Sequence, residues 1–303
     1  MRTRDYHLIQ IYNQFNIRDF GRHLNDFNEL IELLNDLQDA IYHGRSSIKP
    51  WQTNLEVLIA KFSILCSSIS QLSNGTKIRA RGKDIMVYDI HSIYVLSRSL
   101  IESYLVINYL NHSPRTDEQG EFRNDLYALA GLSRRQEFDT ISEDGRRKKE
   151  KEKTEIDQLI TKIKKNKYFK GLTTDKQKRL LKDRPAKEVG WENLLKTARI
   201  QNREYLLIWK LYSNYAHSEY LSSIQLTDYL KNAALLKETV LTSLVQNIVT
   251  LSILISDITD NFISARLKFN MVRQETRTKV EFWGTFGRES KNAPQQHVSS
   301  MVP

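Results

Sequence analysis

Cysteine, proline and glycine are scarce in this sequence, with 1, 5 and 11 copies in 303 residues. A single thiol excludes an internal disulfide and a zinc cluster built from cysteines. Cys66 follows the apolar stretch Val57-Leu58-Ile59-Ala60-Lys61-Phe62-Ser63-Ile64-Leu65, where a lone thiol behaves as a small core hydrophobe. So few turn formers point to long elements. A Walker-type phosphate loop, a dinucleotide fingerprint and a G-x-S-x-G elbow are all missing, which removes the sequence support for an NTPase, a dehydrogenase or an α/β-hydrolase. Neither H-E-x-x-H nor a paired E-x-x-H occurs, so no metal site and no cofactor are expected. The opening residues, Met1 to His7, include no apolar core of a secretory signal, and a cytoplasmic location is the expectation. Long clean hydrophobic runs are also wanting. The greasiest stretch, Thr239 to Phe262, is interrupted by Ser243, Gln246, Asn247, Ser252, Asp257 and Asp260, so it reads as a buried central helix and no membrane span is expected.

What is present is helical in pattern. Apolar residues make up 40% and charged residues 27%, the balance of a globular chain. Phe20, Leu24, Phe27, Leu30, Ile31, Leu34, Leu37 and Ile41 recur at three-and-four spacing, which places one helix over Asp19–His43. A second helix is expected from Pro50 to Ser73, stopped by Asn74-Gly75, with a basic loop over Lys77–Lys83. The third, Ile85 to Asn111, is apolar on nearly every side and should be central in a bundle. Shorter helices follow over Gly120–Glu137 and Trp191–Ala198, then Arg203–Tyr220 and a long, bent helix from Leu230 to Phe269. No alternating run demands a sheet. The fold class is therefore all-α: a helical bundle with long central helices, a basic helical insertion and a disordered C-terminal tail. In sequence order this gives an N-terminal helical region over 1–82, a bundle over 83–269 and a tail over 270–303, poorest in apolar residues after Gly284.

The net charge of +10 is carried by one segment. Residues 144–187 hold 17 Lys plus Arg against 7 Asp plus Glu, and the rest of the chain is balanced. Such a surplus is the footprint of a polyanion, RNA or the acidic face of a protein. Its bland counterpart is a solvated, salt-laced helix or arm.

Two polar stripes interrupt the apolar helices. On the third helix His91, Tyr94, Arg98, Glu102 and Tyr109 fall along one line, and an unpaired charge there costs several kcal/mol, so Arg98 and Glu102 should be paired. On the helix over Arg203–Tyr220, Lys210, Ser213, Asn214 and His217 share a face, with Tyr212 beside them. If the stripes meet, Glu102 orients His217 while Arg98 and Lys210 face a phosphate, an arrangement suited to metal-independent RNA cleavage. Arg98, Glu102 and His217 are the candidate catalytic residues; Lys210, Tyr212, Ser213 and Asn214 are the candidate binding residues. The competing reading makes the same residues a buried network that fixes helix register.

Arg98-Ser99-Leu100-Ile101-Glu102 and Tyr212-Ser213-Asn214-Tyr215-Ala216-His217 resemble the R-x-x-x-E and Y-S-x-x-x-H signatures of an uncharacterised bacterial helical family over roughly residues 83–262. More distantly the layout is similar to HEPN-type bundles, which implies a defence or toxin protein acting on RNA as an endoribonuclease or binder, and by analogy a homo-oligomer. The sequence departs from the HEPN pattern: the arginine that precedes the histidine on one helix there is replaced by Lys210, and lysine does not reproduce bidentate phosphate recognition. The alternatives are a protein–protein interaction module, docking through 144–187, or a small-ligand sensor of a defence system.

Overall fold

The computed structural model describes residues 11, 19–44, 48–80, 82–200, 203–217 and 219–288. The described chain is all-α apart from one hairpin, with 13 helices. By contact it divides into two compact units, both discontinuous in sequence: Met1–Ser47, Ile59–Tyr104 and Arg199–Pro303 form the first, Ile48–Leu58 and Leu105–Ala198 the second.

In the first unit, α1 (Phe20–His43) starts where Asp19 accepts a hydrogen bond from the Arg22 amide. Its apolar line, Phe27, Leu30, Leu34, Leu37 and Ile41, is fully buried. The stretch 48–54 turns before α2 (Leu55–Ser73), so α2 begins five residues later than Pro50 suggests. Cys66 is buried there as expected, and burial pushes its thiol pKa well up.

The expected basic loop is instead an antiparallel hairpin, β1 (Thr76–Ala80) and β2 (Lys83–Val87), with Ile78 opposite Ile85. Both isoleucines remain nearly half exposed, so the hairpin buries no face and leaves no alternating signature. It also delays α3 (Ile90–Ile107), whose first turn is capped by Asp89 through the Ser92 amide. At its end α3 widens into a π-helical turn over Asn108–His112.

The helix expected over Arg203–Tyr220 is two helices. These are α9 (Arg203–Ala216) and α10 (Tyr220–Lys231), numbered after the five helices of the second unit, the last of them α8 (Trp191–Thr197), given below. The long C-terminal helix is likewise split, into α11 (Ala233–Asn261) and α12 (Ile263–Asn270). Asn232 caps α11 at the Leu235 amide. α11 is the centre of this unit, packed by α1, α10, α12 and α13 (Gln274–Phe286). Val240, Leu244, Ile248, Leu251, Ile253, Leu254, Ile255 and Ile258 are all fully buried, each contributing about 1.5–3 kcal/mol of hydrophobic stabilisation. α2 and α11 are both long and apolar enough to cross a membrane, and 72% of the apolar window in α11 is buried within the protein.

Helix α13 corrects the reading of 270–303 as a tail. Val280 and Trp283 are buried against α11, and a β-carbon at Gly287 would overlap Val249. Two large residues four positions or fewer apart suffice to dock a short helix, although the segment around them is polar. Residues 289–303, the remainder of the expected tail, lie outside the described residues.

The second unit contains α4 (Asp117–Gln136), α5 (Glu143–Lys165), α6 (Lys167–Lys170), α7 (Thr174–Asp183) and α8. Thr116, Ser142 and Asn166 cap α4, α5 and α6, accepting from the amides of Gln119, Gly145 and Phe169. Acidic first turns and basic last turns on α4 and α5 complement their helix dipoles. Phe122, Leu126 and Leu129 of α4 meet Ile156, Ile163, Phe169 and Leu180 in a separate core. Gly120 is required by close approach: a β-carbon there would stand 2.6 Å from the Trp51 indole. Segment 144–187 is thus part of a packed helical unit and not a free arm.

Candidate functional site

The first unit brings Arg98, Glu102 and His217 together. Arg98 and Glu102 are one turn apart on α3, and Arg98 Nε donates to Glu102 Oε1 at 3.0 Å. α9 presents His217 immediately after its last turn, where the His217 amide still donates to the Ser213 carbonyl at 3.2 Å. Arg98 Nη1 lies 3.4 Å from His217 Nε2. The arginine therefore faces the imidazole, whereas the expectation had placed Glu102 there. Glu102 is otherwise engaged, since its Oε1 also accepts from Trp209 Nε1 at 3.2 Å.

Trp209 is the residue that sequence reasoning left out of the cluster. It lies on α9 two turns before His217, and the Arg98 guanidinium sits 5.6 Å from the centre of its ring. A tryptophan at this position reads from sequence as packing, and only the convergence of α3 and α9 makes its N–H a partner for a carboxylate.

The site is open to solvent. The Arg98 and Glu102 side chains are 20% and 25% exposed, and His217 is exposed. The Arg98–His217 contact is a hydrogen bond when Nε2 carries no proton, which puts the ring proton of the neutral form on Nδ1. With Nε held by Glu102, Nη2 of Arg98 has no hydrogen-bond partner among the described residues. A guanidinium so presented suits a phosphate or carboxylate.

The four candidate binding residues are placed differently. Tyr212 points into the core: it is 3% exposed, its ring stands 4.5 Å from that of Tyr94, and its hydroxyl donates to Ser243 Oγ at 3.3 Å. Burial raises its pKa above the usual phenol range, with the Ser243 hydrogen bond opposing. Ser213 is occupied by its own helix, donating to the Trp209 carbonyl at 2.8 Å. Asn214 is half-buried and its carbonyl accepts from the Glu219 amide. Lys210 is exposed and makes no hydrogen bond or ion pair among the described residues.

Beneath the cluster, aromatic and hydroxyl groups fix the angle between the helices. Tyr94 packs between Tyr212 and Tyr215, and His91 stacks edge-on to Tyr215 at 5.4 Å. Ser97, Ser243 and Asn247 form a buried hydrogen-bonded group that joins α3 to α11. Tyr94 is pushed far above the ordinary phenol pKa by burial and by the neighbouring Tyr212, Tyr229 and Tyr215. The raised pKa values keep the Tyr94, Tyr212 and Tyr215 phenols protonated near neutrality, and their rings pack α3 against α9.

Tyr109, the last member of the α3 stripe, belongs to the second unit and to a different cluster. There Arg123, 8% exposed, meets Glu188, 6% exposed, at 3.2 Å, and donates to the Tyr109 carbonyl and Ser113 Oγ. Tyr168 and Lys176 complete the Glu188 carboxylate. Nothing in the lysine-rich connector marks Glu188 as buried. Every oxygen of its carboxylate is bound, so the cluster acts as a clasp for the segment before α8.

No curated protein and no solved structure matches the chain. A match to a family model does exist, and it covers residues 62–232, more than half of the sequence, including α3, α9 and all of Arg98, Glu102, Trp209 and His217. The chain belongs to the family of unknown function designated DUF5677.

Proposed function

We propose that this protein is a HEPN-like, metal-independent endoribonuclease of a bacterial defence or toxin type, acting in the cytoplasm, with Arg98 and His217 as its working pair. The observation that carries the reading is the 3.4 Å approach of a guanidinium and an imidazole from residues 119 positions apart, at a place open to solvent. In the HEPN pattern the arginine and histidine share a helix; in this reading Arg98 of α3, 3.4 Å from His217, serves in place of that arginine, a role for which Lys210 lacks the guanidinium.

In this reading Arg98 binds the scissile phosphate and stabilises the charge that builds on it. His217 takes the proton of the ribose 2′-hydroxyl, whose oxygen attacks the adjacent phosphorus. The bond from phosphorus to the 5′-oxygen breaks, leaving a 2′,3′-cyclic phosphate; the 5′-oxygen takes a proton from water, and His217 gives its proton to the hydroxide so formed. Glu102 and Trp209 position Arg98.

The test is cleavage of a single-stranded RNA in EDTA. His217→Ala should slow cleavage by about 10²–10⁴-fold while leaving the far-ultraviolet spectrum and melting curve unchanged. Cleavage at the wild-type rate by that variant would remove His217 from the mechanism.

One observation favours a second reading, in which the cluster only sets helix register within an interaction module or sensor. Glu102 Oε1 accepts from both Arg98 and Trp209, joining α3 to α9. That reading expects Glu102→Gln to lower the melting temperature with no RNA-directed activity in any variant.

A further inference from the structure

The positive surplus of residues 144–187 is not where the sequence first draws the eye. The conspicuous run at the start of α5, residues 143–157, carries 6 basic and 6 acidic side chains and has no net charge. Half of its cations are also engaged: Arg147 with Glu143, Lys153 with Glu150, and Lys149 with the carbonyls of Gln136 and Phe138. On a helix, residues three and four apart are neighbours, well inside the Debye length of about 8 Å at physiological salt. A phosphate approaching this end meets as much repulsion as attraction.

Residues 162–184 differ. They contain 10 basic and 2 acidic residues. Lys162 and Lys176 are paired with Asp125 and Glu188. Lys164, Lys165, Lys167, Lys170, Lys178 and Arg179 are exposed and have no hydrogen-bond or ion-pair partner among the described residues. Their backbone is firmly placed. Ile163, Phe169 and Leu180 are buried in one core, α6 packs on α4 and α5, and Gln177 donates to the carbonyls of Lys170 and Leu172. The end of α5 and α6 thus form a platform of unneutralised cations, Lys164, Lys165, Lys167 and Lys170, on a backbone anchored by Ile163 and Phe169 in one core.

We infer that this platform, and not the arginine- and lysine-rich start of α5, binds the phosphate backbone of RNA. The inference rests on the RNA reading above and assigns that substrate its docking surface. Phosphates favour it because each contact releases condensed counterions, a gain that needs cations free of carboxylate partners. The hydrophobic side chains of the platform point into the core, so binding here is electrostatic and sequence-independent.

The experiment uses the full chain and a labelled single-stranded RNA fully methylated at its 2′-oxygens, so that binding is read without cleavage. Two variants of equal charge change are compared: Lys164→Gln/Lys165→Gln/Lys167→Gln/Lys170→Gln, and Arg146→Gln/Arg147→Gln/Lys148→Gln/Lys151→Gln. All eight positions are exposed or at a helix surface, and melting curves verify folding. The first variant should bind about tenfold or more weakly and lose roughly 2.8 from the slope of log affinity against log salt, at about 0.7 per phosphate contact. The second should keep the wild-type slope. Equal or larger loss in the second variant would overturn the assignment. If poly-glutamate displaced the RNA as well as an RNA chain of equal charge, the platform would belong to an acidic protein instead. Failure of the wild-type chain to bind RNA at all would overturn the RNA reading itself, and the platform assignment with it.

Discussion

Lys279 is the side chain whose loss should cost the first unit most. It is 5% exposed, on α13, and its Nζ lies 2.7 Å from Asp26, 2.7 Å from Glu29 and 3.4 Å from Glu275. Burial alone lowers the Lys279 pKa, but the hydrogen bonds and charges of Asp26 and Glu29 outweigh it and the net shift is upward. Asp26 shows the opposite balance. Burial raises its pKa, and Lys279 only partly offsets this. Replacing Lys279 with Met keeps the volume and removes the charge, leaving two carboxylates of α1 together in a partly dry site. Breaking a buried pair in this way costs about 3–5 kcal/mol. Against a total stability of about 5–15 kcal/mol that is a large fraction. The melting temperature should fall by about 10 °C.

The pH dependence has a definite sign. In Lys279→Met the folded-state pKa of Asp26 is raised further, so the stability tied to its protonated form is present at low pH and lost as pH rises through the folded pKa. The deficit relative to wild type should therefore be largest at neutral pH and shrink towards pH 4. Adding Asp26→Asn should recover most of the loss. Chemical denaturation followed by circular dichroism measures all three chains. A loss below about 1 kcal/mol for the single variant, or no recovery in the double, would refute the reasoning.

Other outcomes follow from the same structure. Tyr94, Tyr104, Tyr205 and Tyr212 of the first unit all have pKa values raised by burial, so above pH 10 the unfolded chain loses protons that the folded chain keeps. Stability should fall by about 1.4 kcal/mol per pH unit for each such phenol, and an ultraviolet titration should show these tyrosines ionising together with unfolding; ionisation of the folded protein near pH 10 would contradict this. Arg123→Ala should destabilise the second unit by about 3–5 kcal/mol, and Arg123→Ala/Glu188→Gln by clearly less, as read by denaturation. Gly120→Ala should cost about 1–3 kcal/mol and shift Trp51 fluorescence, because its β-carbon displaces the indole. Leu251→Ala in α11 should cost about 2–5 kcal/mol.

Which parts of this could be read in advance depended on whether a residue's role is local. The line of apolar residues from Phe20 to Ile41 specifies α1 almost to the residue, because one buried face of a helix repeats with helical period. Arg98 and Glu102 stood out because charges on an otherwise greasy helix need partners. The hairpin over Thr76–Val87 was invisible because both of its faces are exposed, although Ile78, Gly82 and Ile85 mark the pair and its turn. Helix α13 was missed because its docking depends on Trp283 and Val280 finding α11, a long-range event. The helix ends at Ala216 and Asn261 were missed for a related reason: no proline or glycine follows closely to mark them. Trp209 and Glu188 belong to the same class, since each acquires its role from a segment far away in sequence.

In the proposed mechanism Arg98 and His217 act as one unit on RNA. A double-mutant cycle on single-turnover RNA cleavage in EDTA, with Arg98→Lys, His217→Ala and the combined variant, tests it most directly. Two groups working on the same phosphate should show strong non-additivity, the double variant being scarcely slower than His217→Ala alone. Independent, additive losses, or cleavage that survives both substitutions, would contradict the account.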